Sequence, residues 1–147
     1  MPDLKYYHEE YAIKYSNAPH YFEYASKVIA EMYRQVGTPT FDQNGLMKKG
    51  VIVRHLIMPG LKEDTKQILR YLYETYQDNI YISIMNQYTP MKEFKKYPEL
   101  NQTIDEDTYN EIIDYALDLG IEKAFIQEGG TQDASFIPDF LNQTLPL

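Results

Sequence analysis

Six polar residues fall inside or directly after runs typical of β-strands, and their side chains could form a ligand site. They are Asp3, Lys5, Arg54, His55, Asn86 and Gln87. In parallel sheets the ligand site forms at the carboxyl ends of the strands, where such side chains converge. We therefore consider these residues first as candidates for binding a ligand, above all an anionic one at Arg54.

The run VIVRHLIMPG, residues 51–60, is typical of a strand buried on both faces, yet Arg54 and His55 lie at its centre. Neighbouring side chains of a strand point to opposite faces, so only one of the two can face an interior site. A buried neutral histidine needs one hydrogen bond, whereas a buried guanidinium needs an anion for its five donors. Arg54 is the better functional candidate, and it either pairs with a core acid such as Asp3 or binds an anionic ligand.

Composition excludes several classes of protein. A chain of 147 residues with 44% hydrophobic content suits one globular domain, and we predict a single domain over residues 1–147. The formal net charge of −8 argues against a nucleic-acid partner. No run approaches the roughly 18 to 20 apolar residues of a membrane span, and no signal-peptide pattern opens the sequence. We expect a cytoplasmic protein that does not bind membranes.

Cysteine is absent from the sequence. Its absence removes disulfides, thiolate nucleophiles and any iron–sulfur cluster ligated by this chain itself. The three histidines, His8, His20 and His55, are widely spaced and form no HExxH-like pattern. We therefore predict no metal site built by this chain.

Apolar periodicity and turn residues predict an alternation of strands and helices. A first helix is predicted after Ser16 and Asn17 as caps, and it ends at Gly37. Its apolar stripe consists of Phe22, Ala25, Val28, Ile29, Met32 and Val36. The dipeptide Asn44-Gly45 then predicts a small hairpin.

A helix over residues 63–77 and a strand over 80–85 follow in the predicted order. A third helix begins at a capping box of Thr103 and Glu106 and ends at Gly120, and a short strand covers 124–126. Residues 6–10 and 91–102 are predicted to be loops. The alternation predicts an α/β fold in which helices cover parallel strands.

Five phrases of this sequence together resemble one family. They are PDLKYY, KKGVIVRHLIMPG, ISIMNQYTPM, YPELN and FIQEGG…SFIPDF, in that order over nearly the whole chain. They resemble the C-terminal half of a radical S-adenosylmethionine protein of the pyruvate formate-lyase activating-enzyme-like group. The resemblance implies the C-terminal half of a partial (β/α)6 TIM-like barrel. It also implies that the N-terminal half, with its CxxxCxxC loop for a 4Fe-4S cluster, is missing here, so that this chain alone is an inactive fragment.

The resemblance further implies a reaction and a set of binding residues. An intact relative cleaves S-adenosylmethionine reductively to a 5′-deoxyadenosyl radical, which abstracts a hydrogen atom from a glycyl-radical enzyme or another substrate. The residues assigned to cofactor binding are Asp3, Lys5, Arg54, Leu56, Asn86, Gln87 and Tyr88. Relatives often place a histidine at the last of these strand ends, and this sequence has none there. The cofactor's carboxylate would give Lys5 or Arg54 an anionic partner.

Two other functions are considered beside this one. A free-standing α/β binding or assembly domain without catalysis is the main alternative. A hydrolase would need converging carboxylates, but Asp105, Glu106 and Asp107 lie at a helix start, where acids favour the helix dipole.

Glu128, Gly129 and Gly130 match an ordinary turn better than a phosphate-binding loop. A barrel that began at its fourth strand would leave that strand unpaired on one side, so we expect self-association through the exposed first strand.

Overall fold

A parallel sheet covered by helices lies at the centre of the protein, whose computed structural model describes residues 1–127. The helices are α1 (Glu9–Ser16), α2 (Tyr21–Val36), α3 (Lys62–Tyr76) and α4 (Glu106–Leu119). The strands are β1 (Thr40–Phe41), β2 (Met47–Lys49), β3 (Ile52–Leu56), β4 (Tyr81–Met85) and β5 (Ala124–Ile126). Short 3-10 turns cover Gln77–Asn79 and Pro98–Asn101.

The sheet has the order β3-β4-β5 with all pairs parallel. Residues 2–4, which we call the N-terminal segment, extend it beyond β3. The Leu4 N–H donates to the Arg54 carbonyl, and the Arg54 N–H donates to the Pro2 carbonyl, each over 2.9 Å. The strand-like pieces thus lie side by side in chain order. The predicted α/β fold with parallel strands and covering helices is confirmed, while the sheet described by residues 1–127 is open.

The two faces of the sheet differ in burial, as strand alternation requires. On one face the side chains of Val53, His55, Ile82 and Ile84 are buried beneath helices. The helices contribute buried residues to the same core, namely Ile29, Ile68, Leu69, Leu72, Ile112 and Ala116. On the other face the side chains are only half-buried, and they belong to Ile52, Arg54, Leu56, Tyr81, Ser83 and Met85.

Most predicted elements are found, with different starts. α3, β4 and β5 confirm the predicted helix over 63–77 and the predicted strands over 80–85 and 124–126. The two predicted glycine stops are also confirmed, because Gly37 ends α2 and Gly120 ends α4. The predicted capping box is wrong, because Asp105 caps α4 by accepting the Thr108 N–H over 2.8 Å. The predicted hairpin is present as β1 and β2. Its loop is longer than two residues, and Asp42 Oδ1 accepts the Asn44 and Leu46 N–H groups within it.

The first helix differs most from the sequence-based prediction. The first two residues of α1, Glu9 and Glu10, belong to the stretch predicted to be a loop, and no helix was predicted over the rest of α1. Asn17 ends this helix in a left-handed conformation instead of starting the next. α2 therefore begins only at Tyr21. Of the predicted stripe, Ile29 is buried but Val28 and Met32 are exposed, because α2 packs on the sheet through a narrower face.

The outer edge of the N-terminal segment is partly covered by α2. The Tyr21 hydroxyl accepts the Lys5 N–H over 2.9 Å and donates to the Asp3 carbonyl over 3.3 Å. These two backbone groups would otherwise be open to another strand. Self-association through this segment stays a prediction, and the exposed edge is smaller than the sequence led us to expect.

No helix within residues 1–127 is long and apolar enough to cross a membrane. The predicted turn at Glu128, Gly129 and Gly130 lies outside the described residues.

Candidate functional site

Arg54 and Asp3 form an ion pair on the half-buried face of the sheet. Arg54 lies on β3, and Asp3 lies opposite it in the neighbouring N-terminal segment, joined by a parallel bridge. Nε and Nη2 of Arg54 each lie 2.7 Å from Asp3 Oδ1. The two side chains are 42% and 36% exposed. The sequence left two roles open for Arg54, pairing with an acid such as Asp3 or binding an anionic ligand. The structure forms the ion pair with Asp3 and leaves it open to solvent.

The pair keeps capacity to bind a ligand. Within residues 1–127, Arg54 Nη1 and Asp3 Oδ2 have no hydrogen-bond partner. A guanidinium presents five N–H donors and a carboxylate accepts through both oxygens, so the pair can bind one further anion and one further donor at once. A ligand that carries a carboxylate beside an amine or hydroxyl groups matches this arrangement.

The surroundings of the pair are mostly apolar. The register places Ser83 opposite Arg54, Met85 opposite Leu56 and Tyr81 opposite Ile52. Leu56, one of the predicted packing contacts, therefore shares the face of Arg54. The half-buried face thus combines one ion pair with mostly apolar neighbours.

The remaining predicted residues do not join the ion pair. Lys5 is exposed, and its described hydrogen bond is the one from its backbone N–H to Tyr21. Asn86 is buried, and alternation continued from Ile82 and Ile84 places it on the helix-covered side.

The end of β4 is held by Gln127 instead. Gln127 Oε1 accepts the Asn86 N–H over 3.0 Å, and its Nε2 donates to Gln87 Oε1 over 3.2 Å. The Tyr88 hydroxyl donates to the Leu100 carbonyl over 2.9 Å within its own loop. Asn86, Gln87 and Tyr88 thus form a separate group at the carboxyl end of β4, and their predicted contact with a cofactor stays a prediction.

α1 and residues 88–101 meet above the carboxyl end of the sheet, and we call these two pieces the cap. α1 follows the N-terminal segment and residues 88–101 follow β4, so the two pieces come from either side of β3. Glu99 Oε1 accepts from both Lys14 Nζ and the Tyr15 hydroxyl, each over 2.7 Å. These hydrogen bonds, first that of Lys14, lower the pKa of Glu99 to about 2. The Tyr15 and Tyr97 rings add an edge-to-face contact at 5.4 Å.

The cap is anchored to α3 by Asp64. This side chain is only 1% exposed, and it accepts the N–H groups of Tyr7 and His8, each over 2.9 Å. His8 Nδ1 lies 2.6 Å from Asp64 Oδ1, while the His8 ring is 48% exposed. A buried carboxylate that orients an imidazole toward solvent is an arrangement used in acid–base catalysis. Sequence reasoning missed it, because Asp64 and its partners lie far apart in the chain and no local motif marks them.

His55 is satisfied inside the core. Its Nδ1 lies 2.7 Å from the Leu4 carbonyl, and its Nε2 lies 2.9 Å from Thr65 Oγ1. A carbonyl can only accept, so Nδ1 carries the proton and Nε2 accepts from the threonine hydroxyl. Burial lowers the pKa of His55. His55 is therefore neutral and structural. Of the two polar neighbours Arg54 and His55, only Arg54 lies on the face that is open to a ligand.

Comparison of this chain with protein-family models, curated proteins and solved structures finds no match. Among residues 1–127, no group of three His, Asp or Glu side chains is arranged to hold a metal ion.

Proposed function

We propose that this chain is the C-terminal part of a radical S-adenosylmethionine protein and that Arg54 and Asp3 hold the polar end of the cofactor. The observation that carries the proposal is the solvent-open ion pair on the uncovered face of a parallel sheet. Parallel strands in chain order with helices on one face are the unit from which (β/α) barrels are built, and the other face then lines the barrel interior. The half-barrel geometry is part of the proposal.

The residues present fit the organic cofactor. Arg54 Nη1 would donate to its carboxylate, and Asp3 Oδ2 would accept from its ammonium group or ribose hydroxyls. Leu56 and Met85 would pack against its apolar parts. When bound, such a cofactor supplies the radical, and the protein binds and orients it.

The residues do not fit the cluster. A 4Fe-4S cluster of this family is held by cysteines, and this sequence has none. We therefore propose that the chain alone performs no radical chemistry and that a cysteine-bearing half supplies the cluster. A glycyl-radical enzyme or another protein would then be the substrate of the complete protein.

Isothermal titration calorimetry with S-adenosylmethionine tests the role of Arg54. We expect the chain to bind the cofactor and Arg54→Ala to weaken binding about tenfold or more, since a hydrogen bond to a charged group contributes roughly 1.5 to 3 kcal/mol. Arg34→Ala is the matched control, because Arg34 lies on α2, is 72% exposed and pairs with Glu31. Equal affinity of Arg54→Ala and Arg34→Ala would remove Arg54 from the site.

A free-standing α/β binding or assembly domain is the second candidate function. The observation that favours it is that Asp3 already neutralises Arg54. Sequencing the DNA upstream of Met1 separates the two, because the radical enzyme requires a CxxxCxxC segment in the same or a neighbouring reading frame. An upstream region without such a segment, together with no heat of cofactor binding, would support the second candidate.

A further inference from the structure

Residues 91–97 of the cap hold three lysines that have no acidic partner within residues 1–127. They are Lys92, Lys95 and Lys96, and all three are exposed. Most other lysines of the chain contact a carboxylate, and these are Lys14, Lys27, Lys48, Lys62 and Lys66. The chain as a whole is acidic, with 22 acids against 14 bases, so three unpaired lysines within five residues differ from its overall negative charge. Glu93 lies in the same stretch, so residues 91–97 carry three lysines against one acid and offer a net positive charge.

The loop that carries these lysines is held in place. The Asn101 side chain accepts the Phe94 N–H over 2.7 Å and donates to the Phe94 carbonyl over 3.2 Å. The Leu100 N–H donates to the Tyr97 carbonyl over 3.0 Å, and Glu99 ties the same stretch to α1. A preorganised loop loses less conformational entropy when a partner binds. The lysines are thus presented by a fixed backbone.

Apolar groups lie beside the cations. Met91 is 68% exposed. Lys92 Nζ lies 5.6 Å from the centre of the Phe94 ring, and Lys96 Nζ lies 5.1 Å from that of Tyr97. Next to them is an open groove of about 470 Å³, lined by Pro90, Met91, Lys92, Glu93 and Asn101. The surface can therefore contact carboxylates and an apolar side chain together.

We infer that residues 91–97 are the docking site for a short acidic segment of a partner protein. Carboxylates of that segment pair with Lys92, Lys95 and Lys96, and an apolar side chain of the segment contacts Met91. A long nucleic acid fits less well, because the rest of the chain is acidic and would repel a polyanion that extends beyond the loop. A short segment avoids this repulsion, since charges more than about 8 to 10 Å away are screened at physiological salt. This inference requires neither the cofactor nor Arg54.

Fluorescence anisotropy with a labelled short peptide of alternating Glu and Leu tests the site. We expect the peptide to bind and to be released by added salt. The triple variant Lys92→Gln, Lys95→Gln, Lys96→Gln should bind it about tenfold more weakly, because each exposed ion pair contributes a factor of roughly 1.5 to 5. The control variant Lys27→Gln, Lys48→Gln, Lys49→Gln also removes three exposed lysines, so both triple variants have the same net charge, but its substitutions lie outside residues 91–97. It should change peptide binding less than about twofold.

Three results would overturn the inference. The first is an equal loss of affinity in both triple variants, because net charge alone would then explain binding. The second is equal binding of a matched Gln and Leu peptide, which would leave the lysines without a role. The third is tighter binding of a single-stranded oligonucleotide than of the acidic peptide, which would assign the loop to nucleic acid. Circular dichroism of both triple variants verifies that these exposed substitutions leave the fold intact.

Discussion

Asp64 Oδ1 lies 2.6 Å from His8 Nδ1, although 56 residues separate the two in the chain. The same buried carboxylate accepts the backbone N–H groups of Tyr7 and His8. One side chain at the start of α3 thus holds the stretch that leads into α1. The position of the cap over the sheet depends on this contact.

Asp64→Asn is expected to destabilise the protein by about 3 kcal/mol. The Asn side chain has one acceptor oxygen and one NH2 donor, whereas both carboxylate oxygens of Asp64 accept a backbone N–H group. Either the Tyr7 or the His8 N–H group would therefore lose its acceptor and face a donor. Urea denaturation measures the loss. Asp118→Asn is the control, because Asp118 is exposed on α4, and its effect should stay within about 0.5 kcal/mol. Similar losses in both variants would show that Asp64 does not anchor the cap.

Gly120→Ala should cost more stability than Gly60→Ala. Both glycines have positive φ, +92° and +79°, so a side chain brings backbone strain of about 1 to 2 kcal/mol in each. At Gly120 the new Cβ would also lie 2.7 Å from the Tyr73 hydroxyl, whereas nothing lies within 4 Å at Gly60. We expect about 1 to 2 kcal/mol of additional loss at Gly120 in thermal or urea unfolding. Equal losses would mean that the Tyr73 ring moves away freely.

Stability should fall below about pH 6.5 because of His55. In the unfolded chain its imidazole takes up a proton near 6.5, while burial lowers its pKa in the folded chain and keeps it neutral. Below that pH the unfolded state binds more protons than the folded state. The free energy of unfolding therefore decreases as the pH is lowered, by up to about 1.4 kcal/mol per pH unit for this group. Urea unfolding from pH 8 to 5 measures the slope. His55→Gln should be less stable at pH 8 but show a flatter slope, and an unchanged slope would contradict the assignment.

Tyr21→Phe should increase self-association. Its hydroxyl occupies the outward backbone groups of Lys5 and Asp3, and its removal opens that edge to another chain. Sedimentation velocity over a concentration series compares it with the wild type and with Tyr24→Phe, an exposed tyrosine on the same helix. A Tyr21→Phe protein that stays as monomeric as the Tyr24→Phe control would exclude this segment as the contact.

Local signals predicted much of the fold. The alternation in β3 and β4, the apolar spacing of α3 and the glycines that end α2 and α4 all act within a few residues, so the sequence alone reveals them. α1 was missed because it is short and its apolar residues form a weak pattern, while Asn17, which ends it, resembles a helix start. The start of α4 was misjudged because Thr103 and Asp105 are both good caps, and only the backbone selects between them.

Arg54 and His55 are neighbours in one strand, so the two-residue period of any β-strand places their side chains on opposite faces, and the sequence alone predicts this separation. Which of the two faces the helices cover follows from the packing of the whole fold. Helix packing places His55 beneath α3, where the Leu4 carbonyl and Thr65 satisfy it, and leaves Arg54 beside Asp3 on the open face. That choice depends on contacts between residues about 50 positions apart, such as Asp3 with Arg54, and no local pattern encodes such contacts.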